Sequence, residues 1–446
     1  MRILLVNPPR APHNGILAHA SEAVLPFIHR KLVGPPLGLL VIAGALRDHD
    51  VRLLELKAEY DLRPDAPPPA ELVRRACEEM APDVVGITVI TSELPASLEL
   101  LAAAKRAAPG AVTVAGGLHA TLVPGDFAGT AADVVCSGPS ARLFAELVAA
   151  LARGAAPASV PGLWVDAGGR LAFTGAREGI VDEAAADFVM PRRELVAPWR
   201  ESYVVGRSPD PATYLFTSLG CPHRCTFCSI WPQRCGAFQQ RDVDSVVEEL
   251  GGLDDYPVVR FADANTVVDP AWTGRLFDRI AAAGLRKFFI MDMRVDTAAA
   301  HPRLVEKMAR GGLGVVIAGF ESPRDDELAA YGKATTRRQI DEAIRVFHEN
   351  GVMLRGNYVV PPDYGADDFA ALGEYAASHK VTYAGYTILT PMPGTAYYEE
   401  VKDRIVDRDP AKYNFFNCVL PTRLPLDEFY TRVAELWAIK KGKEVI

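Results

Sequence analysis

Three cysteines fall within eight residues, in the run Cys221-Pro-His-Arg-Cys225-Thr-Phe-Cys228. Thiolates at this C-x3-C-x2-C spacing can wrap one face of a four-iron cubane, and Cys thiolates are the usual ligands of iron–sulfur clusters. A four-iron cluster with three protein ligands keeps one iron open to an outside molecule. Zinc is the competing chemistry. A structural zinc takes four protein ligands, and no second Cys or Cys/His pair stands at finger spacing, although Cys235 could complete a set. The chain has seven cysteines. An odd number with three packed together argues for metal ligation over disulfides. Cys77 and Cys136 lie in helix and strand patterns, and with Cys235 and Cys418 they read as small hydrophobes.

The cysteine loop needs a frame. It follows a strand pattern at Tyr214–Leu219 and opens a series of strands at Val258–Ala264, Phe288–Arg294, Gly314–Phe320, Met353–Val360 and Tyr383–Leu389. Helical patterns lie between them. Six such repeats of about 30 residues make an incomplete parallel barrel, short of the eight of a full one. Polar residues recur at the carboxyl ends of these strands: Asp263 and Asn265 on the second, Arg294 on the third, Glu321 and Ser322 on the fourth, just after Gly319, and Asn357 on the fifth. Such ends form the mouth at which barrel active sites are built.

An earlier series of apolar strands occupies residues 1–155, at Arg2–Asn7, Val51–Leu56, Val84–Ile90, Val112–Gly117 and Asp133–Ser137. With helices between, they imply a doubly wound, Rossmann-like parallel sheet. Residues 156–208 lose this rhythm and read as a linker with a short hairpin. The barrel spans 209–395, and 396–446 reads as a mostly helical segment. The fold class is therefore α/β.

The 446 residues suggest two to three domains. The net charge of −8 and the lack of a basic stripe argue against a nucleic-acid partner. No apolar run is long enough to span a bilayer, and the N-terminus lacks signal-peptide architecture, so a cytoplasmic protein with no membrane partner is expected.

On the cysteine motif, Phe227 within it, the strand-end set and the segment Thr390-Pro-Met-Pro-Gly394-Thr, residues 210–395 resemble the radical S-adenosylmethionine (SAM) superfamily. The resemblance implies a [4Fe–4S] cluster on Cys221, Cys225 and Cys228. It implies SAM held by Phe227, Asp263, Asn265, Arg294, Gly319, Glu321, Ser322 and Asn357, and an external electron donor of flavodoxin or ferredoxin type. Residues 1–150 resemble the cobalamin-binding domain found ahead of many such enzymes. Thr88-Val-Ile90, Gly116-Gly117, His119 and Ser137-Gly138 are the positions implied for cobalamin, and small residues there let backbone approach the nucleotide tail. The Asp-x-His-x-x-Gly motif is missing, so no histidine ligand to cobalt is expected. The implied activity is radical cleavage of SAM and methylation of an unactivated carbon of a small-molecule or peptide substrate. Rearrangement, cyclisation, epimerisation or oxidation is the alternative, and a non-enzymatic Fe–S or cobalamin sensor a further one.

Overall fold

The computed structural model describes residues 1–28, 34–138, 140–176, 188–204, 210–379, 381 and 383–439. The chain divides into two compact units. One comprises 1–12, 34–203 and 232–237, and the other 13–33, 204–231 and 238–446.

The first unit is built on strands β1 (Arg2–Asn7), β2 (Asp50–Glu55), β3 (Val84–Thr88), β4 (Val112–Gly116), β5 (Val134–Cys136), β6 (Leu163–Asp166) and β7 (Leu171–Phe173). Their order in the sheet is β2-β1-β3-β4-β5-β6-β7. The first five are parallel. Ile3, Leu4, Leu5 and Val6 are all buried, as expected of a parallel strand covered on both faces. Winding reverses between β1 and β3, and in open parallel sheets a ligand binds outside the carboxyl ends at such a point.

The hairpin expected inside a linker belongs to this sheet. β6 pairs antiparallel with β5, Cys136 opposite Leu163, and β7 pairs with β6. Gly168 and Gly169 both have positive φ, 75° and 88°, and the Ala167 N–H donates to the Arg170 carbonyl. That is the two-residue turn whose twist suits a hairpin. Leu163 is fully buried and Trp164 packs on Phe173 at 4.9 Å, so the hairpin covers the edge of β5. The unit runs on to Tyr203, so most of the described part of 156–208 is not a separate linker. Residues 177–187 and 205–209 of that segment lie outside the described residues.

The second unit holds β8 (Ala212–Leu215), β9 (Ser218–Gly220), β10 (Phe238–Gln240), β11 (Val258–Phe261), β12 (Phe288–Asp292), β13 (Leu313–Glu321), β14 (Met353–Val360) and β15 (Tyr383–Ile388). Six of them form one parallel sheet in the order β15-β14-β13-β12-β11-β8. The strand expected at Tyr214–Leu219 is two strands. β8 stops at Leu215, and β9 leaves the sheet to pair antiparallel with β10. The break falls at Thr217, whose N–H and hydroxyl both donate to Asp263 instead of extending the ladder.

Side chains alternate along these strands. Val259, Phe261, Phe289, Met291, Val316, Ala318 and Phe320 are fully buried in the core shared with the helices. On the opposite, inner face, Ala212, Val258, Ile290 and Ile317 form a small separate apolar cluster. The C-terminal segment contains helices at Ala396–Val401 and Leu426–Trp437, joined by a mainly irregular stretch. Asn417 stands in for regular structure there: it accepts from the Gly15 N–H at 2.7 Å and donates to the His13 carbonyl at 3.2 Å.

Candidate active site

Cys221 follows directly on β9, the short strand that the chain forms after it leaves the barrel sheet. Cys225 is buried, and Cys221 and Cys228 are partly so. Neighbouring backbone fixes the loop. The Thr226 N–H donates to the Tyr331 carbonyl, and the Tyr397 N–H to the Thr226 carbonyl, each at 3.0 Å. The Trp231 indole N–H donates to the Cys225 carbonyl at 3.0 Å. Gly332 lies against the loop at φ 63°, a left-handed conformation that favours glycine. Phe227 turns its ring edge-on to Tyr331 at 5.5 Å, beside Val359 and Leu389.

Burial pushes the thiols of Cys221 and Cys228 up, with N–H donors to sulfur opposing it in part. The Ile230 N–H lies 3.4 Å from Cys228 Sγ. A metal cluster must therefore displace protons from these sulfurs to bind. Among the described residues no three His, Cys, Asp or Glu converge on a single metal-ion position. A cubane asks for something else, three sulfurs each reaching a different iron, and a set of three thiols on one pinned loop fits that demand.

The strand-end residues gather beyond the inner face, but not all are free for a ligand. Asp263 is 4% exposed and accepts from the Thr217 N–H, the Thr217 hydroxyl and the Ser218 N–H. Burial raises its pKa to about 6 against these bonds, and its work is to hold the chain break before the cysteine loop. Ser322 donates to Glu327 and accepts from the Arg324 N–H, so its hydroxyl is also engaged. Arg294 donates to Asp296 and, at 2.6 Å, to the Lys333 carbonyl. Asn357 accepts from Arg355 Nε at 3.3 Å.

Two features fit a polar ligand. Asn265 is 3% exposed, yet neither its amide oxygen nor its nitrogen has a partner, and the nearby Thr266 hydroxyl is orphaned as well. Buried polar groups without partners are costly, which is the signature of a site completed by something outside the chain. Glu321 holds a non-glycine φ of 58° at a bulge between β13 and β14. Its carboxylate is clamped by Lys333 Nζ at 2.5 Å, with both side chains about a tenth exposed. A strained backbone kept in place by a buried ion pair is typical of a ligand-binding position. Gly319 is required beside it, because a Cβ there would overlap the Glu321 carboxylate and Lys333 Nζ.

The positions expected for cobalamin gather at the carboxyl ends of β3, β4 and β5. Thr88 lies opposite Gly116. Gly117 has φ 94°, and a Cβ there would press on Thr88 Oγ1 at 2.7 Å. Gly138 has open space where a Cβ would stand, a Cβ on Gly116 would meet only Cys136 Cβ at 4.0 Å, and Ile90 is 39% exposed. Backbone with room above it and an exposed apolar neighbour is the cradle a bulky cofactor tail needs. Ser137 donates to the Ala120 carbonyl at 3.3 Å, and the Gly138 N–H to Thr121 Oγ1 at 3.0 Å, which fixes the β5 loop. His119 is buried in the first turn of the short helix Leu118–Leu122, with one ring nitrogen on Thr91 and the other on Asp126. Its ring has no nitrogen to spare for cobalt.

Sequence reasoning missed Lys333, Thr217 and the inner-face residues Arg260, Asp292 and Arg355. Lys333 sits between two helices where no strand-end rule points. The inner-face set did carry a signal: charged residues at alternate positions of otherwise apolar strands.

Family models match on both units: the B12 binding domain over residues 25–148 and the Radical SAM superfamily over 215–376. The hopanoid C-3 methylase of Methylococcus capsulatus is 26% identical over 401 residues, 89% of this chain and 74% of that protein. An uncharacterized methyltransferase of Pyrococcus horikoshii is 28% identical over 408 residues, 90% of this chain and 83% of its own. In fold, the chain is similar to the radical SAM methyltransferase TsrM from Kitasatospora setae, solved with cobalamin and a [4Fe–4S] cluster, at a TM-score of 0.75 and 18% identity over 99% of this chain and 91% of that one. The cysteine loop at the barrel mouth and the doubly wound domain before it thus each have a matching model in one chain, which carries a B12-binding domain followed by a Radical SAM domain, the pair of domains that implies a [4Fe–4S] cluster, SAM and cobalamin.

Proposed function

We propose that the protein is a cobalamin-dependent radical SAM methyltransferase that modifies an unactivated carbon of a small biosynthetic substrate. The observation that carries the reading is the pairing, on one chain, of a pinned three-cysteine loop at a barrel mouth with a parallel sheet whose strand ends are open and glycine-lined. Cys221, Cys225 and Cys228 would ligate the cluster. Asn265, Glu321 and Asn357 would face SAM, with Phe227 shielding the cluster, Asp263 holding the loop, Arg294 tying down the Lys333 backbone, and Gly319 and Ser322 shaping the Glu321 bulge. Thr88, Ile90, Gly116, Gly117, Ser137 and Gly138 would receive the cobalamin tail, with His119 bracing the loop. When bound, the cluster supplies an electron to cleave SAM and cobalamin supplies a methyl carrier. The chain's own part is orientation and exclusion of water. The reductant would be an external flavodoxin- or ferredoxin-type donor.

Anaerobic reconstitution with iron, sulfide and hydroxocobalamin tests the reading. It expects about four irons per chain, lost in Cys225→Ser. It also expects reductant-dependent 5′-deoxyadenosine and a product heavier by one methyl group. Deoxyadenosine without a methylated product would reject methyl transfer and favour a rearrangement or cyclisation. Iron without any SAM cleavage would reject the enzyme reading.

A further inference from the structure

The inner face of the six-stranded sheet carries charge that its own fold does not balance. Strand pairing puts Tyr214 beside Arg260, and Asp292 beside Ile317, which in turn pairs with Arg355. Asn357 is the next inward residue on β14. Below them, toward the amino ends of the strands, lie Ala212, Val258 and Ile290, which form an apolar cluster with Ile317, the residue that stands between Asp292 and Arg355. Tyr214, Arg260, Asp292, Arg355 and Asn357 all keep partial exposure, whereas the alternate residues Phe261, Phe289, Met291 and Leu354 are fully buried. This face is therefore open to solvent-sized molecules.

The charges do not cancel. Arg260 donates to Asp292 at 2.9 Å and stacks over Tyr214 at 5.6 Å, but its Nε is buried with no partner. Among the described residues the Arg355 side chain has no carboxylate within ion-pair distance and a single hydrogen bond, the long one to Asn357 Oδ1. Two guanidiniums thus face a single carboxylate. Burial and the nearby Arg260 both work against the Arg355 charge, and Asp292 works for it. Two cations nearer the mouth are already matched, Lys333 by Glu321 and Arg294 by Asp296. A half-buried guanidinium with no carboxylate in ion-pair contact is poorly solvated, and a planar anion offering two oxygens is its best partner.

We propose that Arg355, supported by Arg260, binds an anionic group of the substrate, a carboxylate or a phosphate. This rests on the reading of the barrel as the reaction chamber, and it narrows the substrate class to anions. The carboxylate of SAM offers the same chemistry, so the test separates the two sources.

Reconstituted full-length protein is titrated calorimetrically with inorganic phosphate and, in parallel, with SAM. Wild type is expected to bind phosphate at roughly millimolar concentration, and Arg355→Met to weaken it by about tenfold or more. Asp292→Asn should tighten it, because it frees Arg260, and this gain keeps the test decisive if Arg355→Met fails to fold. Three results overturn the proposal: no phosphate binding in wild type, equal binding in wild type and Arg355→Met, or an Arg355→Met protein whose SAM affinity falls more than its phosphate affinity. The last assigns the guanidinium to SAM. If the protein makes no 5′-deoxyadenosine, the proposed reaction fails separately, and the phosphate titrations still decide the anion site.

Discussion

Glu55 offers a prediction whose size can be worked from its surroundings. It ends β2, is fully buried, and accepts from Asn7 Nδ2 at 2.6 Å and from the Ala58 N–H at 3.2 Å as the cap of the helix Leu56–Leu62. Burial raises its pKa from 4.5 to about 7, despite those two bonds and the charges of Lys57 and Arg10. The folded state therefore binds the proton more tightly than the unfolded chain does. The stability that goes with this proton is fully present below about pH 4.5 and is lost as the pH rises through about 7. At 1.36 kcal/mol for each pH unit of displacement, the loss at pH 8 is about 3 kcal/mol. Glu55→Gln is neutral throughout. Its amide oxygen can keep the Ala58 bond, and Asn7 can turn its own oxygen toward the new amide nitrogen. The variant should be more stable than wild type at pH 8 by up to about 3 kcal/mol, with the gap shrinking to about 1 kcal/mol or less at pH 5. Urea unfolding of both proteins at the two pH values measures it. A variant no more stable at pH 8, or a gap that does not change with pH, would refute the argument that burial dominates over the Asn7 and Ala58 bonds.

Three other changes have expected outcomes. Glu321→Gln leaves Lys333 buried without its counter-ion, a loss of about 3–5 kcal/mol where a buried pair is broken, and Glu321→Gln with Lys333→Met should recover much of it; thermal unfolding of the three proteins checks this. Gly117→Ala forces a positive φ on a residue with a Cβ and drives that Cβ against Thr88 Oγ1 and the Val89 backbone, at a cost of about 1–3 kcal/mol, and it should lower cobalamin retention after gel filtration, read from the visible spectrum. Cys77, Cys136 and Cys418 are buried, with pKa values pushed to about 11, 12 and 11, whereas Cys235 is exposed; peptide mapping after brief iodoacetamide treatment at neutral pH should find Cys235 alkylated first among these four.

The sequence signalled the frame better than it signalled the contacts. Apolar runs such as Ile3–Val6 leave few alternatives to a parallel strand covered on both sides, and Gly116-Gly117 at a strand end announces close backbone approach. Neither pattern says which partner a polar side chain will choose. Asp263 and Asn265, two residues apart after the same strand, look alike as a motif. One has its oxygens filled by Thr217 and Ser218, some 45 positions earlier, and the other is left with an empty amide. Asp263 can serve the site only by holding Thr217 and Ser218, which break the strand and release the chain toward Cys221. Asn265 can serve it only by direct contact. The hairpin of β6 and β7 was missed as part of the sheet for a related reason: turn chemistry is local, but the edge to which a hairpin docks is not. The same reasoning explains Arg260, Asp292 and Arg355. Each is an unremarkable charge in its own strand, and only parallel register sets two cations against one carboxylate on a single face. An imbalance that exists only between strands is invisible to any reading of one segment at a time.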